Sequence, residues 1–451
     1  MGLKAYLVGG YVRDKILGRN SVDMDILCVG NGIQLAEGVC REFDDCKGVT
    51  VFKRFGTAML KTGDLEVEFV GARKESYSED SRKPQVQRGT LKDDLLRRDF
   101  TINALAVKIE PTGLGEMVDM FDGVKDLESE VIRTPVDPAA TFSDDPLRML
   151  RAIRFATQLN FEIHPTTYEG IVDSAERLKI ISTERITSEL QKIMESPKPS
   201  IGFILLNKCG LLQLILPEIT ALKGAETRDG IGHKDNFYHT LEVLDRLSKN
   251  SDHLWLRWAA LLHDVGKPAT KRFEEGHGWT FHGHEVVGAR MVPKIFRRLR
   301  MSTGKEMRYV KKLVALHLRP ISLTNEEASD SAVRRLLFDA GEDIEDLLLL
   351  CEADITSKNP DKVKRFLENY TNVRQRIREV EERDRIRNWQ PPITGDIIMK
   401  TFGIKPSEKV GIIKESIKDA ILDGDIPNDK QAAFDLMIKK GKSLGLKPTD
   451  E

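Results

Sequence analysis

The residues with an evident chemical use fall into two sets, one rich in carboxylates and arginines, the other in histidines. In the first, Asp23-Met24-Asp25 leads into an apolar, strand-like run. Alternate residues of a strand share a face, so both carboxylates can address one site. Two such oxygen donors suit a Mg²⁺ that keeps waters and bridges substrate phosphates. A solvated pair at a strand end has the same spelling, and the preceding LVGGYVRD tips the balance. Gly9 and Gly10 separate a strand from a helix and permit close backbone approach to a phosphate, with Arg13 one turn in to pair with a triphosphate oxygen. In LEVEFV, Glu66 and Glu68 share one face opposite Leu65, Val67 and Phe69. Glu68 is a candidate third metal carboxylate, and a solvated strand face is the alternative.

Further along, LLRRDFTINAL places Arg98, Asp99 and Asn103 within about a turn: phosphate donors, a hydroxyl acceptor and an amide. A charged helix start capped by Asp99 or Thr101 would look similar. DDPLRMLRAIRF puts Asp145 and Arg148 three apart on a helix, with Arg151 and Arg154 continuing the row. A carboxylate beside a guanidinium complements the amino donor and ring-nitrogen acceptor of cytosine and adenine. Uracil and guanine would meet repelling or unpaired groups there. An ordinary surface ion pair is the simpler alternative.

These residues together resemble the class II tRNA nucleotidyltransferases and bacterial poly(A) polymerases. LVGGYVRD with DMD is similar to their catalytic palm motif, RRDFTINAL to their ribose-binding motif and DDPLRMLRAIRF to their base-selecting motif. ERITSEL at Glu184–Leu190 is similar to their neck motif. Asp144 stands where the family usually has Glu; Asp145 and Arg148 are expected to keep the base-reading role. The resemblance implies a polymerase-β-type palm in which Asp23 and Asp25 hold two Mg²⁺ ions. One activates the 3′-hydroxyl of RNA and the other neutralises the triphosphate. It also implies untemplated addition of CCA to the tRNA 3′ end from CTP and then ATP. VGARKESYSEDSRKPQVQRG, with Arg73, Glu75 and Tyr77, resembles the family's flexible loop and weighs against a CC-only enzyme. A poly(A) polymerase and a partial CC- or A-adding enzyme remain open.

The second set is His239, His263-Asp264, His284, His317 and Asp354, spread over successive helical segments. LLHDVGKP followed by FHGHEVVGA resembles the HD phosphohydrolase superfamily. The resemblance implies that His239, His263, Asp264 and Asp354 hold a metal, with His284 and His317 near a second one. Imidazoles suit a divalent transition metal better than Mg²⁺. His233 and His282 lie nearby. Phosphohydrolase activity on RNA 2′,3′-cyclic phosphate ends or a related small phosphate is expected. An HD metal phosphohydrolase whose N-terminal half only binds nucleotide or RNA is the reading from another class.

The elements that must position these groups change period along the chain. KAYLVGG, MDILCVG and LEVEFV read as strands, and YVRDKILG and GIQLAEGVCREF as helices between them. From about Pro146 helical spacing takes over, and a charge-laced helix near 361–387 reads mostly as i,i+4 pairing. The expected class is α+β: a mixed-sheet palm (1–125), an all-α neck for base selection (126–220), an HD body (221–360) and a helical tail (361–451).

Composition limits the partners. Lys+Arg number 70 against 71 Asp+Glu, a net charge of −1, which excludes a uniformly basic nucleic-acid coat but not a local patch. Residues 291–312 hold eight Lys/Arg against one Glu, a candidate phosphate-binding strip for tRNA through Arg297, Arg298 and Arg300. No apolar run approaches the roughly 18 residues of a membrane span, and the N-terminus lacks a signal-peptide core. Five cysteines without a CxxC pair read as reduced thiols, so a cytoplasmic protein is expected.

Overall fold

The computed structural model describes residues 2–449 other than 22, 45, 47, 53–55, 63–64, 79–80, 229–230, 233–234, 325–328, 357–359 and 385–388. The chain divides into two compact units, residues 1–220 with 298–301, and residues 221–297 with 302–451.

The first unit opens on a seven-stranded mixed sheet. Its strands are β1 (Ala5–Val8), β2 (Asp23–Cys28), β3 (Val49–Phe52), β4 (Thr57–Thr62) and β5 (Leu65–Gly71). A separate hairpin, β6 (Arg73–Ser78) and β7 (Ser81–Arg88), comes next, and β8 (Leu105–Glu110) and β9 (Gly113–Asp119) complete the sheet. The order across it is β3-β4-β5-β2-β1-β8-β9, and only β2 and β5 run parallel. The alternation seen in the sequence decides the faces. Met24, Ile26, Val67 and Phe69 pack with Ala58 and Leu60 beneath Ala36 of the helix Gly32–Cys40. Gly32 is needed there, because a Cβ would sit 2.8 Å from the Gly71 nitrogen. On the other face Tyr6, Val8, Leu27 and Ala106 pack against Leu95. Asp23, Asp25 and Glu68 belong to that second face by parity.

Helices follow, among them Leu147–Leu159 and Thr183–Met194, with Met149, Leu150, Ile153, Leu190 and Ile193 buried. Among its described residues the second unit is helical apart from two short strand pairs. Near its end the helices Gly395–Phe402, Glu408–Asp423 and Lys430–Ser443 close a core of their own around Ile398, Phe402, Ile417 and Met437. The α+β class, mixed sheet first and helices after, is borne out.

Four expectations are corrected. The segment likened to a flexible loop forms the β6–β7 hairpin, in which the side chains of Glu75 and Tyr77 lie outside the described residues. Cys40 and Cys46 are disulfide-bonded, with Cα atoms 5.5 Å apart, because the helix end and the following turn bring them together; Cys28, Cys209 and Cys351 are free and buried. The charge-laced helix is Pro360–Asp384, but Arg374 and Arg376 pair with Glu352 and Asp330 of other helices, and Arg383 with Asp330 as well as its neighbour Asp384, rather than with residues four apart on the helix. Asp145 is not helical. It ends the helix Pro138–Asp144 in an extended conformation (φ −144°, ψ 100°), because the proline at 146 disfavours the helical region for its predecessor. Among the described residues no helix is long and apolar enough to cross a membrane.

Candidate functional site

In the first unit the parallel register sets Asp25 opposite Glu68 and Asp23 opposite Glu66. Glu66 is tied to Lys61 at 3.0 Å, whereas Asp23, Asp25 and Glu68 line one cleft of about 780 Å³. Burial pushes the Asp25 carboxyl up to about 6; Arg98 opposes this, and the neighbouring Glu68 and Asp23 add to it. An all-oxygen donor set with crowded negative charge fits a hard divalent cation. Gly9 has φ +74°, and a Cβ there would fall 2.6 Å from the Arg98 guanidinium and 3.6 Å from the Asp25 carboxylate. The glycine therefore lets the β1 turn, Arg98 and Asp25 converge. Gly10 lines the cleft beside it.

The RRDFTIN segment is a buried network. Asp99 Oδ1 accepts from the Phe100 amide (2.9 Å) and Asn103 Nδ2 (3.0 Å), and its Oδ2 accepts from Arg151 Nε (2.7 Å). Burial alone would raise its pKa, yet Arg151 and the Asn103 amide outweigh that and hold Asp99 at about 2. Arg13 donates to Asn103 Oδ1 (2.7 Å) and grips Asp14. Arg13 and Asp99, expected to meet a triphosphate and a hydroxyl directly, are thus engaged with protein groups in this structure. Arg13, Arg151 and Arg154 also surround the Phe155 ring at 5.0, 5.4 and 4.3 Å from its centroid. Asp94 escaped the sequence reading: it is fully buried and bonded to Arg97 and Arg98.

Arg148, which also lines the cleft, donates to the main-chain carbonyls of Arg97 and Thr141. Asp145 accepts from the Leu147 amide (3.1 Å) and pairs with Arg185 at 2.7 Å. Arg185 comes from the ERITSEL helix, a partner that the sequence order did not suggest. Both base-reading candidates line the cleft that holds the three carboxylates.

In the second unit all six expected side chains converge. Among the described residues, His239, His263 and Asp354 form one group, and Asp264, His284 and His317 another, each with ligand atoms within 4.8 Å. Asp264 faces both, Oδ2 toward His263 (3.3 Å) and Oδ1 toward His284 (3.2 Å). The Nδ1 atoms of His263, His284 and His317 are held by the carbonyls of Ala260, Phe281 and Val314, three residues back in each case. His239 Nδ1 pairs with the Thr356 hydroxyl. Every Nε2 is thereby left for the centre. The buried His263 Nε2 faces the Asp264 and Asp354 carboxylates at 3.3 and 3.5 Å without a well-aligned hydrogen bond, and with the mixed nitrogen and oxygen donors this fits a divalent transition metal. Burial would lower the His263 pKa, but Asp264 and Asp354 hold it at about 10; burial and the His263 charge push His317 down to about 4. Asp264 and Asp354 lie well below the carboxylate range because the histidines outweigh their burial. Lys267 pairs with Asp264 Oδ2. His282 is exposed and outside both groups; His233 lies outside the described residues.

Within the basic strip Arg297 and Arg300 are exposed. Arg298 is not available in the same way, since both its terminal nitrogens meet Glu218 at 2.6 Å.

The head of the chain, residues 5–133, matches the model of the Poly A polymerase head domain. Residues 160–223 match the "Probable RNA and SrmB- binding site of polymerase A", and residues 236–359 the HD domain. An A-adding tRNA nucleotidyltransferase of Deinococcus radiodurans is 33% identical over 76% of this chain and 78% of its own length. The chain belongs to the tRNA nucleotidyltransferase family. A second relative in it, a multifunctional CCA protein of Shewanella frigidimarina, is 33% identical over 79% of this chain and 84% of its own. A crystal structure of a tRNA nucleotidyltransferase complexed with a primer tRNA and an incoming ATP analogue superposes with a TM-score of 0.57 and 26% identity. It covers 83% of this chain and 97% of that one. The members of this family are enzymes, and the motifs read from the sequence lie within the matched regions except DDPLRMLRAIRF, residues 144–155, which falls between the first two.

Proposed function

We propose that the chain adds or repairs the 3′-terminal CCA of tRNA, using CTP and then ATP, without a nucleic-acid template. The observation that carries this reading is the shared cleft, lined both by Asp23, Asp25 and Glu68 and by Asp145 and Arg148. Asp23 and Asp25, with Glu68, would hold Mg²⁺, which supplies an activated primer hydroxyl and charge neutralisation on the triphosphate. Arg98 faces the same carboxylates and would meet triphosphate oxygens. Asp99 and Asn103 orient Arg151 and Arg13 around the nucleotide. Arg148, anchored by carbonyls, and Asp145, anchored by Arg185, would present the base-reading edge for cytosine and adenine. The palm spans residues 1–125 and the base-selecting neck 126–220. The HD body and tail follow at 221–360 and 361–451, and the setting is cytoplasmic.

An A-adding activity is the competing assignment within the same chemistry, favoured by the name of the Deinococcus relative. Transcripts of tRNA ending before C74, before C75 and before A76 (standard tRNA positions), each offered one triphosphate, separate the two. Full CCA synthesis predicts CC from CTP and a single A from ATP. Extension of only the CC-ending transcript would point to A addition, and long A tails to a poly(A) polymerase.

A second activity is favoured by the paired metal-ligand groups around Asp264. A divalent transition metal there would support hydrolysis of RNA 2′,3′-cyclic phosphate ends or a related small phosphate. Release of phosphate with Mn²⁺, Ni²⁺ or Co²⁺, lost in His263→Ala, is the expected result. No turnover with any of the three metals would remove the activity and leave a structural centre.

A further inference from the structure

Asp94 is fully buried in the helix Leu91–Leu96, yet it is not the residue that caps it. Capping falls to Thr90 and Asp93, which bond each other's main chain reciprocally. Asp94 instead points inward and is shared by two consecutive arginines. Its Oδ1 accepts from Arg97 Nε (2.9 Å) and from a terminal nitrogen of Arg97 (2.6 Å), and its Oδ2 from Arg98 (3.2 Å). A buried carboxylate is costly unless it is paired, so its place there calls for a purpose.

The two arginines connect to different functional groups of the cleft. Arg98 donates its other terminal nitrogen to the Asn103 carbonyl (3.3 Å) and lies against Gly9, beside Asp25. The main-chain carbonyl of Arg97 anchors the guanidinium of Arg148. Asp94 does not itself line the cleft, while Arg97, Arg98 and Arg148 do. We propose that Asp94 is a positioning residue of the transferase site, holding the phosphate-side Arg98 and, through Arg97, the anchor of the base-side Arg148 in one fixed spacing. The inference rests on the nucleotidyl-transfer reading and adds to it a group that touches neither substrate nor metal.

The test compares Asp94→Asn with Leu95→Ala, a buried neighbour whose loss destabilises the same helix without touching either arginine bond. Melting temperature and the KM and kcat for CTP, ATP and tRNA are measured for both. Asp94→Asn should raise the KM for both nucleotides by about tenfold or more, as expected when a charged hydrogen-bond partner is removed. It should also relax the preference for CTP over UTP and leave the KM for tRNA within about twofold. The double variant with Arg98→Ala should show less than the product of the two single effects. Should Asp94→Asn not fold, Arg97→Gln breaks the same fork and should shift nucleotide KM and CTP preference in the same direction. A profile matching Leu95→Ala at equal melting temperature, fully multiplicative effects, or an unchanged Arg97→Gln would overturn the proposal. Absence of incorporation by the parent protein would instead sink the transferase reading itself.

Discussion

The two candidate metal centres are built in opposite ways. The palm donors stand on β2 and β5, where strand register spaces them along one face and leaves Asp23 and Glu68 exposed. The HD donors cluster at helix ends: His263 and His317 just after their helices, His284 at the start of one and Asp354 at the end of another. Helix ends bring imidazoles together with their Nδ1 atoms already occupied by carbonyls, and the result is a buried, preassembled set. Strands give an open, oxygen-only site with positions to spare. An open site lets substrate phosphates complete the coordination, whereas a closed one holds its ion between reactions.

The largest effect should come from Asp25→Ala, which removes the more buried palm carboxylate. Nucleotide incorporation is expected to fall by about 10³-fold, with metal retained in the second unit. A residual rate within tenfold of the parent would dissolve the distinction between the centres.

The two centres should both strengthen as pH rises, but over different ranges. His263 sits above its ordinary value, so in the metal-free protein its proton steadies the fold below about 6.5, and that support is lost as pH rises through about 10. A metal must displace this proton, so affinity at the HD centre should climb more than about tenfold between pH 6 and 8, with proton release seen by calorimetry in two buffers. Asp25, raised to about 6, takes up a proton as pH falls, so Mg²⁺-dependent incorporation should weaken through that value. Incorporation should level off above about pH 7 while HD metal affinity goes on climbing, and two profiles that level off together would contradict the account.

Arg148→Lys keeps the charge but not the fork held by two carbonyls. It should cost about tenfold or more in the preference for CTP over UTP, measured by competing incorporation, while metal binding stays unchanged. Smaller still, Arg297→Glu and Arg300→Glu should each weaken tRNA binding a few-fold and reduce the salt slope by about one. Arg298→Glu should instead lower the melting temperature, because it faces Glu218 with a like charge.

The sequence pattern shows some of this more readily than the rest. β1, β2 and β5 carry apolar or alternating runs and were visible, whereas β4, β8 and β9 mix Lys, Glu and Gly into theirs and were not. Glu68 could be placed on the correct face from alternation alone; its position opposite Asp25 needed the parallel register. The six HD residues were legible by type, but which carboxylate oxygen serves which group depends on helix packing. Asp94 sits among the charges of KDDLLRRD, where nothing local distinguishes a buried carboxylate from a solvated one. Arg185 and Asp145 meet across 40 positions. The Cys40–Cys46 bond depends on how one turn closes.

Cobalt loading without nucleotide, followed by dialysis and metal analysis, tests the central contrast most directly when paired with incorporation assays on the same samples. The account predicts that His263→Ala loses the tightly held cobalt and keeps nucleotide incorporation within about twofold of the parent, as for sites that share no partners. Asp25→Ala should keep the cobalt and lose incorporation. Cobalt that survives His263→Ala, or disappears with Asp25→Ala, would contradict it.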